Sequence, residues 1–364
     1  MRPVTDDGTG GLIPWQPRTL ADRKLEPTEP VYWCRQDGRH LLYPGKVHWF
    51  VGPSETCKTW AALHIVAQAL KLLKSVLVID YEDSLDLFGQ RLEALGVNID
   101  FYADAGLLVY IDQTAAIADR HGNPTEAMAS YAHTVLSFDW DLVILDGVTN
   151  SFVTEGLDPL SNQAAALWLQ RLPLAIARAT GAAVVCLDHS PKDSSNGTSR
   201  FGIGAQHKLA GITGAAFSFE LVRPFARVAP GSGVDSHTGI ISVTLGKDRP
   251  GYVRGLTNGD DSIGLLKLTS WADGGVTIYL EAPSSTEDES TVDRAVAREV
   301  IRHLTTYQGA TWSNIKQNIR AMDSRKHDAL KWLIAQGWVR VERKGQSHQH
   351  YLTGNHAESE LWQG

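Results

Sequence analysis

The octapeptide GPSETCKT (52–59) places a lysine and a hydroxyl among small, turn-forming residues, between an apolar run and a helical one. Such a stretch can surround phosphate. The N–H groups of a tight loop converge on an anion, and the positive end of the following helix adds to the attraction. Lys58 would then reach the β- and γ-phosphates of a nucleotide, and the Thr59 hydroxyl would bind Mg2+. Gly52, Pro53, Ser54, Glu55, Thr56, Cys57 and Trp60 complete the expected loop. The pattern for this chemistry is GxxxxGK[ST]. Cys57 stands where the second glycine belongs, so a Cβ crowds the loop where backbone meets phosphate. Its thiol, beside Lys58 at a helix N-terminus, is expected to have a lowered pKa and to make hydrolysis slow or oxidation-sensitive.

Three further positions carry matching chemistry. LVILD ends in Asp146, a carboxylate suited to hold the water shell of a magnesium ion. VLVIDYEDS carries Glu82 at a strand end, on the edge where open parallel sheets bind ligands. A carboxylate there can orient and deprotonate a water, with Asp80 and Asp83 as alternatives. VVCLDHSPK carries His189, again at a strand end, where it would contact the γ-phosphate and report hydrolysis to the following loop. Asp188 is expected to orient its imidazole.

These side chains need a scaffold, and the apolar pattern supplies one. KVHWFV (46–51), VLVID (76–80), LLVYID (107–112), LVILD (142–146) and AVVCLD (183–188) read as strands. Helical patterns over 60–74, 84–95, about 125–137 and about 162–178 alternate with them. Strands apolar throughout, separated by helices, predict an α/β fold with a parallel sheet covered on both faces. After residue 210, AAFSFEL, GIISVTLGK, GLLKLTS and GVTIYLE read as antiparallel additions to the sheet edge. Residues 1–40 are expected to form an extended arm, 41–282 the core and 283–290 an acidic linker. Residues 291–353, three helices and a hairpin, follow the winged-helix pattern, and 354–364 form a tail.

The 364 residues are 43% apolar, enough for one large core and one small module. Net charge is −7, which by itself points away from nucleic acid. Its distribution does not. Residues 291–353 hold eleven Lys/Arg and five Asp/Glu, so this module carries +6 and the remainder about −13. A basic module on an acidic engine suits an anionic partner. Three cysteines without a CxxC pair give no disulfide framework or zinc site. A reducing cytoplasm, that of a host cell if the gene is phage-borne, is the expected location. The N-terminal residues lack a secretory apolar segment, and no apolar run approaches the roughly 20 residues that span a bilayer, so no membrane partner is expected.

With the phosphate loop, Glu82, Asp146 and His189 in this order, residues 41–282 resemble the RecA/DnaB superfamily of P-loop ATPases. The similarity is greatest to the RepA-like and DnaB-like replicative helicases of plasmids and phages. It implies a RecA-like core using ATP and Mg2+, with Glu82 as the catalytic glutamate. GKDRPG (246–251) resembles the Lys-x-Arg finger of these hexamers, which places Lys247 and Arg249 in a neighbouring subunit's ATP site. A guanidinium supplied in trans stabilises charge on the transferred phosphoryl group, so hydrolysis would depend on assembly. The globular N-terminal domain of DnaB helicases and a primase module have no counterpart here.

Two regions are expected to meet DNA. The loops 147–163 and 191–207 would line a channel for single strands, with Lys192, Arg200 and Lys208 on phosphates. In the winged helix, a segment near 324–336 carrying Arg325, Lys326 and Lys331 would enter the major groove of duplex DNA. Arg343 and Lys344 would sit at the wing tip. The expected function is an ATP-driven motor on single-stranded DNA, a ring-forming helicase or translocase, which the resemblance implies is hexameric. The alternatives are a RecA/Rad51-like recombination ATPase and an ATP-switched winged-helix regulator.

Overall fold

The computed structural model describes residues 29–119, 121–190, 205–227, 236–258, 261–283, 294–335, 337–344 and 347–353. The chain divides into two compact units, Met1–Ala282 and Pro283–Gly364.

The first unit opens with a hairpin, β1 (Tyr32–Cys34) and β2 (His40–Leu42). The core therefore begins earlier than the expected boundary at residue 41. Trp33 is 1% exposed, and its ring lies 4.9 Å from Phe50 and 5.2 Å from Phe217. Buried Arg35 donates to the carbonyls of Leu256 and Ile263, which fastens the hairpin to the far side of the sheet. The composition of this segment is that of an arm; its two aromatic residues make it part of the core.

The next elements alternate. They are β3 (Val47–Gly52), α1 (Lys58–Lys71), β4 (Val76–Asp80), α2 (Leu85–Ala94), α3 (Ile99–Asp104) and β5 (Leu108–Asp112). A helix expected over 125–137 is instead α4 (Glu126–Tyr131) followed by a π-helical turn at Ala132–Leu136. Then come β6 (Leu142–Asp146), α5 (Val148–Thr154), α6 (Asn162–Arg171), α7 (Pro173–Thr180), β7 (Ala183–His189) and α8 (Ala205–Gly211). The expected helix over 162–178 is broken at Leu172, because Pro173 has no N–H to continue it and starts a new helix instead.

Four long strands complete the unit: β8 (Ala215–Arg227), β9 (Ser236–Asp248), β10 (Ser262–Trp271) and β11 (Val276–Glu281), with a 3-10 turn at Val253–Leu256. All nine strands from β3 onward form one sheet, ordered β11-β10-β9-β8-β3-β7-β6-β4-β5. One expectation is corrected here. AAFSFEL begins β8, which pairs in parallel with β3 through Ala216–Ser218 before turning antiparallel neighbour to β9. The parallel region thus has six strands, and the antiparallel addition starts with β9.

Alternation along each central strand explains the layers. Phe50, Val78, Ile144 and Val185 face one core with α1 and the hairpin. Trp49, Leu77, Val143 and Val184 face the other, with α5, α6 and α7. Two covered faces leave the carboxyl ends of the strands as the open edge, and β3, β4, β6 and β7 all end there.

The second unit contains α9 (Arg294–Thr306), β12 (Ala310–Thr311), α10 (Trp312–Asn318), α11 (Asp323–Ala335), β13 (Val339–Lys344) and β14 (Ser347–Leu352). Its antiparallel sheet has the order β12-β14-β13. Val300, Leu304, Ile315, Leu330 and Leu333 form its core, with Trp332 edge-on to Trp338.

Candidate nucleotide site

Between β3 and α1 the chain makes the loop expected of GPSETCKT, and the backbone explains its sequence. Gly52 has no room for a side chain: a Cβ there would meet the Phe219 carbonyl oxygen at 2.5 Å and Thr56 Oγ1 at 2.8 Å. Glu55 and Cys57 both adopt positive φ, 67° and 60°. Cys57 is the residue before the first helical position of α1, in the left-handed conformation that glycine adopts without strain. The motif's second glycine is thus a conformational requirement, and this chain meets it with a strained cysteine. The expected lowering of its thiol pKa is wrong in sign. Burial raises it to about 11, and the Lys58 charge only partly opposes this.

Lys58 is 6% exposed. Its ammonium donates to the carbonyls of Gly52 (2.9 Å) and Pro53 (2.8 Å) and lies 3.5 Å from His189 Nδ1. Burial lowers its pKa, while Asp146, Glu82 and Asp188 pull the other way. His189 Nε2 in turn lies 3.3 Å from one Glu82 carboxylate oxygen and 3.4 Å from the other. The tautomer with its proton on Nε2 donates to Glu82 and leaves Nδ1 to accept from Lys58. Lysine, histidine and glutamate thus form one chain across the mouth of β3, β7 and β4. Glu82 is kept below the usual carboxylate range chiefly by this hydrogen bond, with burial opposing.

Thr59 Oγ1 donates to Asp146 Oδ2 at 3.1 Å. Asp146 is 9% exposed, and its pKa is pushed up to about 7 by burial, then by the charges of Asp80 and Glu82. Among the described residues no three His, Cys, Asp or Glu side chains are grouped to hold a metal by themselves, but the adjacent oxygens of Thr59 and Asp146 fit a hard divalent ion whose other ligands come from a nucleotide and water. Gly147, at φ 83°, leaves space for the catalytic candidate: a Cβ there would lie 2.6 Å from Glu82 Cγ.

The two alternative acids have other work. Asp80 Oδ1 accepts the N–H groups of Glu82 and Asp83, and its Oδ2 accepts from the Tyr110 hydroxyl. It shapes the turn that aims Glu82. Asp83 is paired with Arg91 at 2.9 Å. Asp188 does not orient the imidazole either. Its Oδ1 accepts the backbone N–H of His189, and its Oδ2 is paired with Lys208.

A cleft of about 690 Å³ opens beside the loop. Glu55, Thr56, Cys57, Lys58, Thr59, Trp60, Glu82, Asp146 and His189 border it, as does Arg91. Its outer wall is apolar: Leu221, Pro224 and Phe225 of β8, Leu268 of β10 and Val276 of β11. Sequence reasoning missed this wall. The signal is the run FELVRPF, where apolar residues stop alternating. β8 has register shifts at Leu221/Arg223 and Arg223/Ala226, and such bulges re-aim side chains. Leu221 and Phe225 stay 37% and 42% exposed and give the cleft an apolar face suited to a flat, weakly polar group.

The remaining expected residues are dispersed. Arg249 is exposed, with its backbone N–H donating to the Gly214 carbonyl. Lys247 is held within its own chain, by the carbonyls of Leu209 and Ala210, rather than presented with Arg249. Lys192 and Arg200 lie outside the described residues. Lys208 is 2% exposed and ion-paired, so it has no face toward a DNA phosphate. In the second unit Lys326 is likewise removed from the expected contact surface: 4% exposed, it donates to the Lys316 carbonyl and to Asp323. Its i−3 carboxylate and its place against α10 draw the ammonium inward. Arg325 and Lys331 of α11 and Arg343 and Lys344 of β13 are exposed.

Residues 15–195 match the family model described as AAA domain. No curated protein matches the sequence. Among solved structures, the chain is similar to a KaiC-like protein from the hyperthermophilic archaeon Pyrococcus horikoshii OT3, at 12% identity and a TM-score of 0.46, over 70% of this chain and all of that one. The family match takes in the phosphate loop, Glu82, Asp146 and His189, and with the site they form it supports a P-loop ATPase.

Proposed function

We propose that this protein hydrolyses ATP to drive movement on single-stranded DNA, as a ring-forming helicase or translocase. The observation that carries ATP hydrolysis is the Lys58–His189–Glu82 chain, set beside the Thr59–Asp146 pair at the open edge of the sheet, and movement on DNA is inferred from the resemblance of the motif order and from the basic second unit. Loop N–H groups and Lys58 hold the β- and γ-phosphates, and the apolar wall of β8, β10 and β11 receives the base. Thr59 and Asp146 hold Mg2+, which neutralises phosphate charge when bound. Glu82, kept ionised, takes the proton of the attacking water. His189 spans Lys58 and Glu82, so a change at the γ-phosphate alters both of its hydrogen bonds. Arg249, exposed just past the end of β9 and bonded through its N–H to the Gly214 carbonyl, serves a neighbouring subunit. The second unit acts as a winged helix, with Arg325, Lys331, Arg343 and Lys344 toward duplex DNA.

A forked DNA substrate with ATP tests this. Strand separation that requires Lys58 is expected. Joint-molecule formation without unwinding would select a recombination ATPase, and duplex binding undisturbed by loss of residues 1–285 a regulator. Among the described residues no helix is long and apolar enough to cross a membrane.

A further inference from the structure

Asp188 and Lys208 form an ion pair at 3.0 Å whose side chains are 0% and 3% exposed. Neither belongs to the phosphate site. A buried pair of this kind contributes little net stability over a well-packed apolar pair, so its use lies in fixing one arrangement of the parts it joins. Those parts are three. Asp188 sits at the end of β7, next to His189, and its Oδ1 accepts the His189 backbone N–H at 3.0 Å. The same oxygen accepts from the Thr149 hydroxyl at 3.3 Å, in the helix that follows Asp146 and Gly147. Lys208 belongs to α8, and its ammonium also stands 5.1 Å from the centre of the Phe152 ring in α5. The pair therefore ties the histidine strand, the Asp146 helix and α8 together.

The far end of α8 has a second tether. Lys247 of β9 donates to the carbonyls of Leu209 (with a short contact) and Ala210 (3.1 Å), the last acceptors of the helix. Arg249 follows two residues later, its N–H bonded to the Gly214 carbonyl at 3.1 Å. Polar contacts thus run from His189 through Asp188 and Lys208 to α8, and from α8 to Lys247, two residues before Arg249 in the chain.

We propose that Asp188 and Lys208 are positioning residues that transmit the state of the phosphate site to α8 and, through Lys247, set the placement of Arg249. This rests on the ATPase reading above. A shift of the β7 end when the γ-phosphate leaves moves Asp188, and Lys208 cannot stay unpaired in that interior, so α8 follows. Lys247 then serves to steer the arginine rather than to enter a neighbour's site.

Hydrogen exchange of the full chain tests this with Mg2+ plus ADP or a non-hydrolysable ATP analogue. In the wild type, amides of α8 and of residues 246–249 should exchange differently in the two states. Removing one charge alone can unfold the chain, so the deciding variant is Asp188→Asn with Lys208→Met, which leaves no unpaired charge. It should keep nucleotide protection of the phosphate loop and lose the difference at α8. Its turnover should fall about tenfold or more, and adding Arg249→Ala should lower it no further. A folded double variant that keeps the α8 difference overturns the proposal. So does a loss that multiplies with that of Arg249→Ala, or a wild type that binds nucleotide without any change at α8. Absence of phosphate-loop protection in the wild type sinks the ATPase reading, and the coupling with it.

Discussion

At position 57 a cysteine holds a backbone conformation suited to glycine. A left-handed non-glycine residue costs about 1–2 kcal/mol. Cys57→Gly is therefore expected to raise the melting temperature and to speed hydrolysis, by freeing the loop N–H groups to settle on phosphate. An unchanged or lower ATPase rate would show that the loop needs its cysteine. Alkylation of Cys57 at neutral pH should be slow, because burial keeps the thiol protonated. For Glu82, replacement by Gln keeps size and polarity but removes the base. We expect kcat to fall by about 100-fold or more while nucleotide affinity changes little. Parallel losses of affinity and turnover would instead assign Glu82 to binding.

Among the elements, the start of β8 is held by a buried histidine. His48 Nδ1 accepts the Ala215 N–H at 3.1 Å, and its Nε2 lies 3.1 Å from the Tyr43 carbonyl oxygen. A proton on Nδ1 would face the Ala215 N–H, and burial lowers the pKa from 6.5 to about 4. A base with a depressed folded-state pKa contributes stability above its unfolded value of 6.5, and this is lost as pH falls toward 4. The full contribution is about 3 kcal/mol. Melting temperature should decline over pH 6.5 to 4, and the decline should be shallower in His48→Gln. An identical slope would place the acid sensitivity elsewhere. At the β6–α5 junction, Gly147→Ala is expected to displace Glu82, since its Cβ would lie 2.6 Å from Glu82 Cγ. Turnover should drop more than nucleotide binding, as in Glu82→Gln.

For the whole molecule, the decisive question is whether one chain holds a complete site. Arg249→Ala should lose turnover and keep nucleotide binding. Mixed with Lys58→Ala, it should regain activity wherever an intact loop meets an intact arginine. Failure of mixing to restore turnover would remove the trans role. In the second unit, Lys331→Ala and Lys344→Ala should each weaken duplex binding across sequences and lower the salt dependence by roughly one phosphate contact. Lys326→Ala should act on stability instead, because its ammonium is bonded inside the unit.

What was legible in the sequence was local in origin. A phosphate loop is a run of adjacent residues, and the five apolar strand runs are contiguous, so the sequence alone places Lys58 and Thr59 on that loop and Glu82, Asp146 and His189 at strand ends. Tertiary structure decided whatever depends on residues distant in the chain. Trp33 joined the core because Phe50 and Phe217 meet it, and Lys208 left the surface because Asp188 waits at the end of β7. The apolar wall of the cleft exists only where β8, β10 and β11 come together. Even the thiol of Cys57 obeyed the fold. Its neighbours in sequence argue for a lowered pKa, but desolvation in the folded loop outweighs the charge of Lys58.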